Sequence, residues 1–577
     1  MAGTLNSPIK RFLGLISLER REIVNIYFYA AINGFIYLSL PLGIQSIINL
    51  LFGGLISTSV VVLVFIVVLG VAINGWLQIM QMRVNERIQR RIFTRFSMEF
   101  ARKIPRLDLL AVDDYYLPEL VNRFFDTASL QKGLSKVLLD FPSASIQIVF
   151  GLVLLSLYSP IFIVFGLLLV SLVILILYLT YERGMTTSLE ESNYKYEVGY
   201  WLEEVARTVK TIKFMGMTHF PAKKADKLVS GYLDARSQHF SVLQIQYWAF
   251  VLFKVVITAA LLIVGCFLVI EQQINIGQFI ASEIVIITLL NSVEKIIGSL
   301  DVIYDMLTSL EKVSKILDKP EEKMDGLSFT EMSDEAGVNI KAENLSYKFP
   351  GESNYVLHQL NFDIKAGEKV CIFGTQGSGK TSLLKLFTGA YPEYNGNLLF
   401  NNYPLGNYNL HNLRNEIGVY LATADLFSGT LTENLTLGDE RITTQLILKI
   451  SEQTGLLRFI QSLKHGLDTP IDSLGKNLPR NTVNKILLTR ALLTEPKLLL
   501  IEDCWSGMER EEQEKTISFL TNKNHKFTLI AVTNDAEFAS RCDKLLLLDE
   551  GKVVSFDTFQ NVSNTSVYQR MFKQLSL

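Results

Sequence analysis

The sequence predicts a polytopic α-helical membrane domain of six spans followed by an α/β domain built around a glycine-rich loop. Three observations predict it. Long apolar stretches fill Met1 to Leu310 and then cease. The chain is 49% hydrophobic and 19% charged, with a mean hydropathy of +0.27, against the roughly 25% charge of an average soluble protein. A GxxxxGK[ST] pattern, Gly374–Thr381, stands between an apolar strand and an amphipathic helix. At roughly 150 residues per domain, 577 residues allow about four domains. This composition excludes a disordered chain, a collagen and a coiled-coil rod. The net charge of -2 leaves no global basic field for nucleic acid. Four cysteines, Cys266, Cys371, Cys504 and Cys542, are too few for a disulfide framework and are expected to be small buried hydrophobes.

A helix needs roughly 20 apolar residues to cross about 30 Å of hydrocarbon. Six segments qualify: Ile23–Leu50, Ser57–Met80, Phe141–Tyr158, Ile161–Leu179, Tyr247–Ile270 and Phe279–Ile297. Strand alternation is absent, which excludes a membrane β-barrel. Lys and Arg collect before span one and after spans two, four and six, whereas the three other connections have none. The positive-inside rule therefore places both termini in the cytoplasm. The outer connections are too short for a domain.

Ahead of span one, residues 1–22 form a cytoplasmic or interfacial segment. No cleavable signal peptide is read there, because Glu19-Arg20-Arg21 interrupts the apolar run. Ile9–Leu18 reads instead as a short amphipathic helix at the membrane surface. The membrane domain spans 23–318. Its inner connections Gln81–Ile104 and Tyr181–Gly216 have helical polar spacing and are expected to prolong spans two and four. Lys254 and Glu283 lie inside apolar runs. Intramembrane charge points to function, but their depths differ by some 15 Å at about 1.5 Å per residue, so they are poor direct partners. Lys254 can snorkel, and Glu283 is a candidate for a translocation path.

A linker, 319–337, precedes the second domain, 338–577. Asn339–Leu345 and Asn361–Ile364 read as strands. Lys369–Phe373 is a third, leading into Gly374, Thr375, Gln376, Gly377, Ser378, Gly379, Lys380, Thr381 and Ser382, then an apolar-periodic helix. Glycines let backbone N–H groups turn toward phosphates, and the helix start adds positive potential. The pattern thus predicts a nucleotide site in which Lys380 reaches the β- and γ-phosphates and Thr381 offers its hydroxyl to Mg²⁺. Lys497–Ile501 is a further strand. It delivers Glu502 and Asp503 beside the loop, suited to Mg²⁺ and to water activation.

Six spans with extended inner connections, followed by these motifs in this order, resemble an ATP-binding cassette (ABC) exporter half-transporter over nearly the whole chain. Leu345–Pro350 resembles the adenine-stacking loop, with Phe349 at the aromatic position. Leu426–Asn434 resembles the segment after the glutamine loop, and Thr489–Leu492 the helix after the signature. Glu119–Phe124 and Val209–Gly216 resemble the two coupling regions. The resemblance implies ATP and Mg²⁺ as cofactors and a second half-transporter as partner, in a homodimer or a heterodimer.

Several motifs depart from the family pattern. The LSGGQ signature position holds Leu478-Pro479-Arg480-Asn481-Thr482. Pro479 removes an N–H, and Arg480 and Asn481 add bulk where glycines permit close approach. One lost donor at a comparable site costs about 3–4 kcal/mol. Arg480 pairing with phosphate would compensate in part. The glutamine-loop position is Ala422. The usual Asp-Glu pair is reversed, so Glu502 would serve the metal and Asp503 would be a base with a shorter arm. A displacement on the order of 1 Å can cost about 10²-fold in rate. The switch histidine aligns with Asn534, and Ser506-Gly507-Met508-Glu509 replaces the usual SALD turn.

The sequence therefore reads as an integral-membrane exporter subunit of the bacterial inner (plasma) membrane, in contact with lipid. It would bind ATP, couple it to movement of a substrate, and hydrolyse it weakly. The alternative is a catalytically impaired structural or regulatory subunit of a heterodimer whose partner hydrolyses ATP. A soluble nucleotide-hydrolysing protein on an anchor would need one span, not six. The membrane half resembles exporters of peptides and secreted proteins, and no leader-cleaving peptidase domain is read before span one. Lipid, drug and peptide all stay open as substrates.

Overall fold

The computed structural model describes residues 8–52, 58–112, 116–216, 219–329, 337–503 and 508–575. Cys504 and the Ser506-Gly507 part of the turn after Asp503 lie outside the described residues, as do most of the first outer connection and 330–336 of the linker. The chain divides into two compact units. One comprises Met1–Arg106 and Tyr115–Lys319, the other Leu107–Asp114 and Pro320–Leu577.

The first unit is helical throughout its described residues. Its elements are α1 (Pro8–Leu18), α2 (Arg20–Tyr37), α3 (Ser39–Phe52), α4 (Thr58–Lys103), α5 (Leu117–Asn122), α6 (Asp126–Tyr158), α7 (Ile161–Arg207), α8 (Val209–Phe214), α9 (His219–Ile270), α10 (Ile276–Ile297) and α11 (Leu300–Leu317). Six helical stretches are long and apolar enough to cross a membrane. The helices α4, α7 and α9 have 46, 47 and 52 residues. At about 1.5 Å per residue each is roughly 70–80 Å long, more than twice the hydrocarbon thickness. Both predicted helical extensions are present: α4 runs unbroken through the Arg-rich segment, and α7 continues to Arg207.

Span one is not a single helix. It breaks at Leu38 between α2 and α3. Pro41 explains the break, because it has no N–H to give the carbonyl of Tyr37. The packing of α3 on α4 shows why small residues sit in these spans. A Cβ on Gly43 would lie 2.2 Å from Val67 Cγ2, and one on Gly70 would lie 2.6 Å from Ser39 Oγ, so α3 and α4 pack at backbone distance.

Residues Ile9–Leu18 do form a helix, α1. Leu15 is buried, and Arg11 Nη2 lies 2.7 Å from Asp318 at the end of α11. Both segments that resemble coupling regions contain short helices, α5 and α8. Asn275 caps α10 with a reciprocal box to Gln278, which sets the turn out of α9. The cysteine expectation needs one correction. Cys371 and Cys542 are buried, but Cys266 is exposed on α9, on a face that other helices of this chain do not cover.

The second unit is α/β. Its strands are β1 (Ile340–Tyr347), β2 (Leu357–Ile364), β3 (Lys369–Gly374), β4 (Asn395–Phe400), β5 (Tyr403–Pro404), β6 (Ile417–Tyr420), β7 (Gly429–Thr430), β8 (Pro470–Ile471), β9 (Leu498–Glu502), β10 (Thr528–Val532), β11 (Lys544–Asp549) and β12 (Lys552–Asp557). An antiparallel sheet has the order β2-β1-β4-β5, and β7 pairs β8. The main sheet has the order β12-β11-β3-β10-β9-β6. It is parallel except for β12. The predicted strands all occur, and β3 is buried at every residue. The segment 320–329 is fastened to this unit: Phe329 is fully buried 5.3 Å from the Tyr408 ring, and Arg414 grips Glu322 with two nitrogens at 2.5 and 3.0 Å.

Candidate functional site

Strand order assembles the site. In an open parallel sheet, ligands bind beyond the carboxyl ends of the strands. Here β3, β10, β9 and β6 are consecutive neighbours in one direction. Their ends present Gly374, Asn534, Glu502 with Asp503, and Ala422 along one edge. Residues more than 150 apart in sequence become neighbours.

The loop after β3 requires its glycines. Gly377 and Gly379 have φ of +79° and +93°, in the left-handed region that a Cβ disfavours. A Cβ on Gly374 would meet Leu548 O at 2.1 Å, and one on Gly379 would meet Leu357 Cδ2 at 2.6 Å. Gln376 and Gly377 are exposed at the loop tip, Ser378 is buried beneath it, and Thr375 Oγ1 lies 3.3 Å from Asp549 Oδ1. Helix α12 (Lys380–Phe387) follows directly, with Ser382 half-buried in its first turn.

Lys380 folds back over the loop. Its Nζ donates to Gly374 O at 2.8 Å and to Thr375 O at 2.7 Å. Burial lowers its pKa, and the nearby Glu502 carboxylate opposes that shift. The ammonium thus sits within the loop and places a positive charge there. Thr381 donates its hydroxyl to Glu502 Oε1, and the other carboxylate oxygen accepts from the Ala422 amide at 3.1 Å.

Asp503 has φ of +36°, a strained conformation for a residue with a Cβ. Partial burial, then the charges of Asp535 and Glu502, raise its pKa. Asn534 is exposed, and its Oδ1 accepts from Gly374 N at 3.5 Å, a long contact. Its neighbour Asp535 caps the next helix, Ala536–Arg541, and accepts from Gln513 at 2.7 Å.

The predicted signature residues open the helix Arg480–Leu493, with Pro479 at its N-cap. Arg480 Nη2 donates to Ala422 O at 2.8 Å within the same chain. Arg490 of that helix donates to Asn434 O at 2.6 Å, joining two motifs that the sequence analysis singled out separately. Phe349 packs 5.2 Å from the Tyr347 ring and 5.8 Å from the Tyr391 ring. Beside it is a cavity of about 260 Å³ lined also by Leu110, Tyr355 and Tyr394, and by no residue of the glycine loop. So Lys380, Thr381, Glu502, Ala422 and Asn534 are brought together.

In the membrane unit, Lys254 pairs with Glu294, not with Glu283. Its Nζ lies 2.7 Å from Glu294 Oε2, and Tyr247 donates to the other oxygen at 2.9 Å. Among the described residues Glu283 makes no ion pair. Sequence reasoning missed Glu294 and Asp549. Glu294 sits at the end of the last apolar run and Asp549 at the end of the strand after Lys544, where acidic residues look like ordinary termini.

Two family models match the chain. One, described as the ABC transporter transmembrane region, matches residues 23–293. The other, described as ABC transporter, matches residues 357–506. The chain is similar to the alpha-hemolysin translocation ATP-binding protein HlyB of Escherichia coli O6:H1, at 24% identity over 359 residues, 61% of this chain and 50% of that protein. It is similar to the uncharacterized ABC transporter ATP-binding protein YfiB of Bacillus subtilis (strain 168), at 26% identity over 243 residues, 42% of each. The chain spans about half the length of the curated relatives it matches. In fold it is similar to a bacterial Atm1-family ABC exporter solved with ATP bound, with a TM-score of 0.82 and 16% identity over 97% of this chain and 99% of that one. The chain belongs to the ABC transporter family, as an integral-membrane half-transporter of exporter type with six membrane-spanning helices joined to one ABC nucleotide-binding domain.

Proposed function

We propose that this chain binds ATP with Mg²⁺ on the loop Gly374–Ser382 and, paired with a second half-transporter, couples that binding to substrate movement across a bacterial inner membrane. The observation that carries the reading is the left-handed glycine cradle capped by the Lys380 ammonium, with the Thr381 hydroxyl already aimed at Glu502. Loop amides and Lys380 suit a triphosphate, which needs donors and positive charge. Thr381 and Glu502 fit Mg²⁺ by their hard oxygens. Bound Mg²⁺ supplies charge neutralisation across the phosphates. Phe349, half-buried beside an open cavity, would stack the adenine, and α5 and α8 would carry movement between the domains. Both termini and the second unit would face the cytoplasm.

Hydrolysis by this chain is proposed to be weak. Asp503 would have to act as base from a strained backbone with a short arm. Ala422 contributes only its peptide, and Asn534 cannot bring positive charge to a γ-phosphate. These features favour a second reading, a nucleotide-binding regulatory subunit in a heterodimer whose partner hydrolyses ATP.

The test measures ATP affinity and turnover separately on the purified full chain. ATP should bind, with at least about tenfold loss in Lys380→Ala, the size of one charge-assisted contact. Turnover should be low and should rise at least about tenfold when Ala422→Gln, Glu502→Asp, Asp503→Glu and Asn534→His are combined. Absence of ATP binding would defeat both readings. Rapid turnover by the unmodified chain alone would defeat the weak-hydrolysis reading.

A further inference from the structure

The turn between β11 and β12 clasps the glycine loop. Strand β11 runs parallel to β3, with Leu548 opposite Gly374. Any side chain at 374 would collide with Leu548 O, so the two strand ends meet at backbone distance. The two segments stay joined beyond that point. Thr375 Oγ1 donates to Asp549 Oδ1 at 3.3 Å, and Gly551 N donates to Ser378 O at 3.2 Å. Gly551 has φ of +74°, and a Cβ there would lie 2.3 Å from Val356 O. The turn is therefore packed against its own unit and has little freedom to leave the loop.

The helix Ser566–Leu575 backs this turn. Its Tyr568 ring lies 5.1 Å from that of Phe373, the residue before Gly374, and both Tyr568 and Met571 are buried. Arg570 Nη2 of the same helix lies 3.7 Å from Asp549 Oδ2. The guanidinium thus faces one carboxylate oxygen and leaves the other to Thr375.

Thr375 is where the clasp meets the site. Its carbonyl accepts from Lys380 Nζ at 2.7 Å and from Ser378 N at 3.3 Å. Holding its hydroxyl at Asp549 fixes the residue from which the Lys380 ammonium hangs. By charge alone, a carboxylate beside this loop opposes a triphosphate. Any gain in nucleotide binding from Asp549 must therefore come from geometry, and the two effects have opposite signs.

We propose that Asp549 is a positioning residue for nucleotide binding. It holds Thr375, and through Thr375 the Lys380 ammonium and the loop amides, in the arrangement that receives phosphate. It acts through the loop and not by touching the nucleotide, and Arg570 orients it. The proposal rests on the nucleotide reading above, whereas its effect on the empty loop can be measured without nucleotide.

Calorimetric titration of the purified full chain with MgATP tests it, together with hydrogen exchange across 375–381 in the absence of nucleotide. Asp549→Ala should weaken ATP binding about tenfold, the lower end for a hydrogen bond to a charged group, and should raise exchange across the loop. Thr375→Val should do the same, and the double variant should be no weaker than either single one, because both remove the same bond. Asp549→Asn keeps an acceptor for the Thr375 hydroxyl and should recover most of the affinity. Glu368→Gln breaks the ion pair to Lys544, 3.0 Å apart at the other end of β11. It should leave affinity and loop exchange unchanged, which separates positioning from a general loosening of the strand. Tighter ATP binding by Asp549→Ala would overturn the proposal, since the carboxylate would then act through its charge. Additive losses in the double variant, or unchanged loop exchange in Asp549→Ala, would also overturn it. If the unmodified chain does not bind ATP, the nucleotide reading fails and this proposal with it. If the chain binds ATP and Asp549→Ala binds it equally well, this proposal alone fails.

Discussion

Arg480 donates to the carbonyl of Ala422 at 2.8 Å, while the amide of the same Ala422 donates to Glu502 at 3.1 Å. The backbone of one residue thus links the start of the helix Arg480–Leu493 to the acidic end of β9, at the position read from sequence as that of the glutamine loop. Arg480→Ala should raise hydrogen exchange across 421–425. It should change stability by less than about 1 kcal/mol, because one exposed hydrogen bond is lost. Glu502→Gln should raise exchange at the Ala422 amide itself, since a neutral amide oxygen accepts more weakly than a carboxylate.

The two left-handed glycines of the loop are not equivalent. A Cβ on Gly377 meets nothing within 4 Å, whereas one on Gly379 meets Leu357 Cδ2 at 2.6 Å and Val356 O at 3.0 Å. Gly377→Ala should cost about 1 kcal/mol of backbone strain. Gly379→Ala adds a clash with the buried Leu357 side chain and a tight approach to the Val356 carbonyl, and should cost about 2–4 kcal/mol. Denaturant unfolding of the two variants should rank them in that order.

Lys254 and Glu294 should behave as a unit. Lys254→Met alone leaves the Glu294 carboxylate with only Tyr247, and Glu294→Gln alone leaves an ammonium in an apolar span. The double variant removes both problems. A double-mutant cycle on thermal stability in detergent should return a coupling of about 1 kcal/mol, the range for polar pairs between membrane helices. Additive single effects would show that the pair is not energetically real.

The buried Lys369 predicts a pH dependence. Its Nζ donates to His525 O at 2.9 Å and Phe527 O at 2.5 Å and lies 4.0 Å from the Phe527 ring centre. Burial brings its pKa down to about 8, against about 10.4 in an unfolded chain. Between these values the unfolded state holds more protons, so this group adds stability as pH rises and loses it again as pH falls through 8. Cys371 and Cys542 titrate with raised pKa in the same unit, so the quantity to read is a difference. The melting temperature of the unmodified chain minus that of Lys369→Met should grow from pH 8 to pH 10 and be flat below.

The limits of sequence reading appear at particular residues. Span one was legible as an apolar run because burial in lipid depends only on local composition. Its break at Leu38 follows from Pro41, which was also in view, yet a kink in an apolar run leaves hydropathy unchanged. Lys254 was visible as an anomaly. Its partner was not, because 40 residues and a turn separate it from Glu294, and only the packing of α9 on α10 sets their approach.

The inner extensions of α6 from Asp126 and of α9 from His219 were not legible in the sequence alone, whereas the six apolar spans, the helical extensions of spans two and four, the glycine loop and its flanking strand and helix were. Each rests on forces acting within a few residues: apolar length against membrane thickness, 3.6-residue periodicity, and glycine's access to positive φ. The strand order that sets Gly374 beside Asn534 and Thr381 against Glu502, the Arg480–Ala422 link and the Asn85–Ser135 hydrogen bond between α4 and α6 were decided by tertiary structure. Those pairs are 50 to 160 residues apart or belong to different elements, and no local preference encodes them. They arise when buried surfaces and buried polar groups are satisfied together across the whole unit.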